Sequence, residues 1–156
     1  MKHKAFKGAV MLISGVTLLY HGYHLLSLWS DIPSQVALHV SDDELEDLGP
    51  KFLLFLMPAS SIFLWLLLGF FGRKPESWNY INLTEENKHI QYAKAKNVMF
   101  ILQYVGATSL IVANEALLRN AVGMDTVLPN VIAITLIVIC FIAPIYQLVW
   151  ATTLRE

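Results

Sequence analysis

The chain has 156 residues, 56% of them hydrophobic and only 15% charged, with a formal net charge of -1. A soluble domain carries roughly 25% charged residues, so the composition argues against a water-soluble domain, and the near-zero charge argues against whole-chain attraction to nucleic acid. The one cysteine, Cys140, sits inside an apolar run, so no intrachain disulfide can form and the residue reads as a small hydrophobe.

The first apolar run extends from Gly8 to about Trp29, after the basic start Lys2, His3, Lys4 and Lys7. It lacks a small-residue cleavage site and is long for the apolar region of a signal peptide, so it is expected to be retained. Gly8, Gly15 and Gly22 recur every seven residues. That stripe predicts close approach of a second helix, with Gly106, Ser109 and Ala113 as the matching small face and Leu18 turned to lipid. The segment from Asp31 to Pro50 holds Asp31, Asp42, Asp43, Glu44, Glu46 and Asp47, with His39 its only basic candidate before Lys51. Its DDELED run lacks the spacing and the glycine of a calcium loop. The acids read either as a solvated face or as a docking surface for a cationic partner.

The second run extends from Phe52 to Gly72, between Lys51 and Arg73, and Pro58 is expected to kink it. Residues 73–96 open as a loop around Pro75. Asn82 followed by Glu85 then reads as an N-cap with an acid in the first turn, so a helix is predicted from Leu83 through Lys96 into the third run, Asn97 to Leu118. Arg119 to Leu128 is turn-like around Gly123, and the fourth run extends from Pro129 to about Trp150 with a kink expected at Pro144.

A hydrocarbon core about 30 Å thick needs about 20 helical residues, and lipid offers no partner to unpaired backbone groups. The predicted fold is therefore all-α: one domain, residues 1–156, a polytopic membrane protein with four transmembrane helices in a bundle at about 8–29, 52–72, 97–118 and 129–150. Lysine and arginine placement sets the orientation. With both termini cytoplasmic, Lys2, Lys4, Lys7, Arg73, Lys74, Lys88, Lys94, Lys96 and Arg155 lie inside, and only Lys51 and Arg119 lie outside. Trp29, Trp78, Tyr80, Tyr146 and Trp150 fall near the expected interfaces, where amphipathic rings are favoured. Loop 31–50 is then outer and segment 73–96 inner.

Ionisable groups inside a span are costly and face a partner or water. His21 and His24, three apart, share a helix face. Glu115, after Asn114, falls at the same depth in the third run, so the three can meet, with His39 approaching from the loop. Two imidazoles and a carboxylate suit zinc or another transition metal; a proton relay and plain interhelical hydrogen bonding are the alternatives. No HExxH helix, GxSxG elbow or phosphate-binding glycine loop is present, and Ser60 and Ser61 have no evident base at matching depth. Neither an enzyme nor a cofactor is expected.

The run DIPSQVALH at Asp31 to His39 resembles the proline-and-histidine opening of a bacterial membrane family that forms the N-terminal part of SdpI-type immunity proteins and also occurs as short stand-alone members. The likeness continues through Gly49-Pro50-Lys51 and Phe52 to Pro58, then through Asn79-Tyr80, Thr84-Glu85-Glu86-Asn87 and Gln91-Tyr92. It covers about residues 25–105; the Ser41 to Glu46 stretch departs from the family in being more acidic and about one residue shorter. The resemblance implies a multi-pass protein of the bacterial plasma membrane that protects against, or senses, a secreted peptide or protein toxin without catalysis. The expected contact residues are Ile32, Pro33, His39, Asp42, Asp43, Glu44, Glu46 and Asp47. The expected partners are the lipid bilayer, such a toxin and a second copy of the chain, with no nucleic acid. The alternative is a small transporter, or a metal- or proton-responsive membrane protein, using His21, His24 and Glu115.

Overall fold

The computed structural model describes residues 2–37 and 48–154, with side chains from residue 4 onward. The chain is mostly helical: α1 (Lys2–Ser27), β1 (Gln35–Ala37), β2 (Leu48–Pro50), a 3-10 turn (Lys51–Phe55), α2 (Leu56–Phe71), a second 3-10 turn (Pro75–Ser77), α3 (Lys88–Ala121) and α4 (Val127–Thr152). Four helical segments are long and apolar enough to cross a membrane: Lys4–Ser27, Lys51–Phe71, Lys88–Ala121 and Val127–Thr152. Their outward faces are apolar. Leu19, Phe63 and Phe141 are among many large hydrophobes left exposed by the chain's own packing.

The helices are organised around α3. At 34 residues it is roughly 50 Å long at 1.5 Å per residue, and α1, α2 and α4 each pack against it. Small residues on α3 permit this: Ala95, Ala107, Ser109 and Ala116 are buried, and Gly106 sits against Leu64 of α2 and Cys140 of α4. Polar side chains add specific ties. The Ser61 hydroxyl donates to the Ala107 carbonyl at 2.8 Å, and the Gln103 amide donates to the Trp65 carbonyl at 2.9 Å. Gly69 makes the second tie possible, because a Cβ there would lie 2.6 Å from the Gln103 amide nitrogen.

The helical reading is matched, and between α1 and α2 the chain adds an unforeseen two-stranded antiparallel hairpin, with Gln35 opposite Pro50, Val36 opposite Gly49 and Ala37 opposite Leu48. Pro33 cannot continue a helix, and β-branched Val36 suits a pleated half-buried strand. Ile32 and Val36 are buried with Leu25, Leu54 and Leu118, so the hairpin closes one end of the helices as an apolar cap. Lys51 fastens it: its Nζ donates to the carbonyls of Trp29 (3.1 Å) and Ile32 (3.4 Å) and lies 4.6 Å from the Trp29 ring centroid.

Three further expectations change. Asn82 is not the N-cap of α3. It has φ of 53°, left-handed backbone that Asn tolerates better than most residues, and its amide donates to the Ala151 and Leu154 carbonyls at 3.4 and 3.2 Å. The start of α3 is instead set by Thr84 and Asn87, which exchange reciprocal side-chain to backbone bonds. Pro58 stands in the first turn of α2, where a missing N–H costs nothing, while Pro144 lies inside α4. The glycine stripe meets nothing: a Cβ at Gly8, Gly15 or Gly22 would find no atom within 4 Å. Leu18 is half-buried and lines a half-open cavity with Gly15. Beyond the spans, Tyr80 donates to the Pro75 carbonyl at 2.7 Å, and burial, reinforced by Tyr92 and Glu76, pushes its hydroxyl up to about 12.

Candidate functional site

The face of α1 that meets α3 carries Ser14, His21 and Leu25, spaced seven and four apart. These recur on one side of a helix of 3.6 residues per turn. Near the hairpin, that face meets Asn114, Glu115 and Arg119 on the last turns of α3. The Glu115 carboxylate accepts three hydrogen bonds: from His21 Nδ1 at 2.7 Å, His24 Nδ1 at 2.8 Å and Arg119 Nε at 2.8 Å. His21 is 1% exposed and Asn114 0% exposed.

The network assigns the protons on His21. An ionised carboxylate only accepts, so Nδ1 carries the hydrogen facing Glu115. His21 Nε2 lies 2.8 Å from Asn114 Nδ2, whose second hydrogen goes to the Leu54 carbonyl at 2.7 Å. Since the Leu54 carbonyl requires the amide nitrogen on that side, Nε2 is placed to accept from it. One chain of bonds thus joins α3, α1 and the turn leading into α2. Asn114 Oδ1 is buried and has no hydrogen-bond partner among the described residues. Arg119 sits four residues after Glu115, so the buried carboxylate has a cation on its own helix.

The expectation that His21, His24 and Glu115 meet is matched by these distances. The metal reading is not supported by them. Donor atoms around a tetrahedral zinc with bonds of about 2.1 Å lie roughly 3.3 Å apart, whereas each histidine nitrogen sits at hydrogen-bond distance from a carboxylate oxygen. Among the described residues, no group of three or more His, Cys, Asp or Glu side chains is placed to hold a metal ion. The arrangement can carry protons and orient charge.

One helical turn further from the hairpin, α1, α2 and α3 line a half-open cavity of about 490 Å³. Leu18 and Ile111, three residues before His21 and Asn114, stand on the cluster's side of it. Its polar groups are tied: Thr108 Oγ1 lies 2.8 Å from Ser14 Oγ and 2.7 Å from the Tyr104 carbonyl.

Of the expected contact residues, Pro33 is exposed, whereas Ile32 is buried in the cap. Ile32 therefore shapes the hairpin from within and offers no outward surface. His39, Asp42, Asp43, Glu44, Glu46 and Asp47 lie outside the described residues. Two tying positions lie beyond the sequence expectations. Arg119 falls where a turn is expected, although its four-residue spacing from Glu115 is the signature of a helical ion pair. For Lys51, no local pattern announces a lysine that clamps two carbonyls across about 20 residues of chain. Comparison with protein-family models, characterised proteins and solved structures finds no match for this chain.

Proposed function

We propose that this chain is a non-catalytic protein of the bacterial plasma membrane, crossing it four times with both termini in the cytoplasm, and that its hairpin end faces outward to meet a secreted, membrane-active toxin. The single observation that carries the reading is the hairpin itself: a folded cap, fastened by Lys51 and seated on Leu25, Leu54 and Leu118. Such a cap provides a rigid base for the acid-rich run Asp42, Asp43, Glu44, Glu46 and Asp47 between its strands. The acids attract a cationic toxin over roughly a Debye length, about 8 Å at physiological salt, and exposed Pro33 with His39 adds contact specificity. The resemblance to the N-terminal part of SdpI-type immunity proteins points the same way. Expression in a sensitive host is expected to give resistance to one narrow toxin. Neutralising the five acids together is expected to weaken that resistance at unchanged membrane levels. A neutralised protein that protects as well as its parent removes the docking role, and protection against no toxin from related strains removes the immunity reading.

A second reading is favoured by the two histidines sharing a buried carboxylate beside the 490 Å³ cavity. An intramembrane ionisable cluster marks proton or substrate pathways, and in this reading the chain is a small proton-responsive transporter, alone or with a second copy. Proton uptake into proteoliposomes that is lost in His24→Ala supports it; a tight membrane under an imposed pH gradient rejects it.

A further inference from the structure

We infer that the groove between α3 and α4, at the end away from the hairpin, is a binding site for one anionic glycerophospholipid of the surrounding bilayer. The groove has a volume of about 430 Å³, within the range of ordinary ligand sites. It is polar at one end and apolar at the other. Lys94, Asn97 and Gln147 stand at the polar end, and Ile101 and Ile142 line the remainder. From Lys94 to Ile101 the groove runs roughly 10 Å along α3 at 1.5 Å per residue. That layout matches a lipid, with a headgroup at one end and acyl chain below.

The charge decides which lipid. No carboxylate lines the groove. Lys94 forms no ion pair among the described residues, unlike its neighbour Lys88, which pairs with Glu85. The side chains of Lys94, Asn97 and Gln147 make no hydrogen bond among the described residues. Their N–H groups are therefore free for phosphate oxygens, which accept and never donate when ionised. Lys94 is also held in place: its Nζ lies 3.3 Å from the Trp150 ring centroid and 6.0 Å from that of Tyr146. Ring faces attract a cation without supplying a counter-charge, so the ammonium is positioned with no carboxylate beside it among the described residues. Basic pockets between helices at the cytoplasmic surface are suited to anionic headgroups. The cytoplasmic placement of the groove rests on the proposed orientation, whereas its chemistry does not depend on the toxin reading.

The test is native mass spectrometry of the full chain in mild detergent, titrated with phosphatidylglycerol or phosphatidylcholine of equal chain length. The wild type is expected to retain phosphatidylglycerol in preference. Lys94→Gln is expected to weaken that retention about fivefold, the effect of one lysine at a membrane surface, with phosphatidylcholine unchanged. Lys94→Arg is expected to restore it, and Ile142→Trp, which fills the apolar part, to lower retention of both lipids. Lys96→Gln, which removes an exposed charge outside the groove, is expected to behave as wild type. Equal retention of the two lipids by the wild type overturns the proposal. So does an equal loss in Lys94→Gln and Lys96→Gln, which indicates diffuse surface charge. Competition by glycerol phosphate as effective as the lipid itself overturns the acyl-chain part. Helicity measured on each variant by circular dichroism separates a lost site from a lost fold.

Discussion

At the hairpin end, α1 and α3 meet through ionisable side chains that bond one another, His21, His24, Glu115 and Arg119, with Asn114 extending the chain of bonds to the Leu54 carbonyl. At the opposite end the buried ties are made by neutral amides, mostly to backbone carbonyls. Gln91 donates to the Ile81 and Asn82 carbonyls, and Asn82 reaches the carbonyls of Ala151 in α4 and of Leu154 just beyond it. The difference lies in what remains when one member is lost. A broken amide-to-carbonyl bond leaves neutral groups. Loss of Glu115 leaves the buried His21 and the part-exposed His24 and Arg119 without their shared acceptor. One end buries its charge in an interhelical cluster, whereas the other keeps its charges, Lys88 with Glu85 and Lys94 against Trp150, outside the buried amide ties.

The largest expected effect is therefore at Glu115. Glu115→Ala is expected to destabilise the protein by about 2–3 kcal/mol, below the range for a fully buried ion pair because Arg119 is part exposed. Thermal unfolding in mild detergent measures it. A loss no greater than that of a neutral tie at the other end erases the contrast between the two.

Asn82 provides that neutral comparison. Asn82→Ala loses the hydrogen bonds to Ala151 of α4 and to Leu154 just beyond it, and places at φ of 53° a residue without the local tolerance of Asn for that backbone. Left-handed backbone costs such a residue about 1–2 kcal/mol, so Asn82→Gly is expected to be the milder change despite losing the same bonds. The reverse order, read from the same melting curves, means that the conformation of Asn82 contributes little.

The glycines make the smallest contrast. Gly69→Ala displaces the Gln103 amide from the Trp65 carbonyl and is expected to cost about 1 kcal/mol, the worth of one hydrogen bond. Gly15→Ala is expected to cost close to nothing, because open space surrounds that position. A larger loss at Gly15 than at Gly69 restores the glycine stripe as a packing face.

These contrasts show where the sequence was readable. The spans were legible because apolar runs of membrane length have few other uses. The meeting of His21, His24 and Glu115 was legible by counting depth along the first and third runs. The packing face of α1 was not. Ser14 and His21 precede Gly15 and Gly22 by one residue each, about 100° around a helix, so the face that meets α3 is polar and the small-residue face is left open. A glycine repeat shows that close approach is permitted, and only tertiary contacts show whether it happens. The hairpin was hidden for a different reason. Strands of three residues are too short for a period-two pattern, and their stability comes from Ile32 and Val36 docking on distant Leu118. Asn82 misled because the residue types that cap helices also tolerate left-handed turns.

Everything proposed for the hairpin end depends on its facing outward. Single cysteines at Ser41, Ser77, Met124 and Thr153, in a background with Cys140 replaced, allow an impermeant thiol reagent to test this in intact cells. Labelling is expected at Ser41 and Met124 and only after permeabilisation at Ser77 and Thr153. Labelling of Ser77 but not Ser41 in intact cells would reverse the molecule in the membrane and contradict the account.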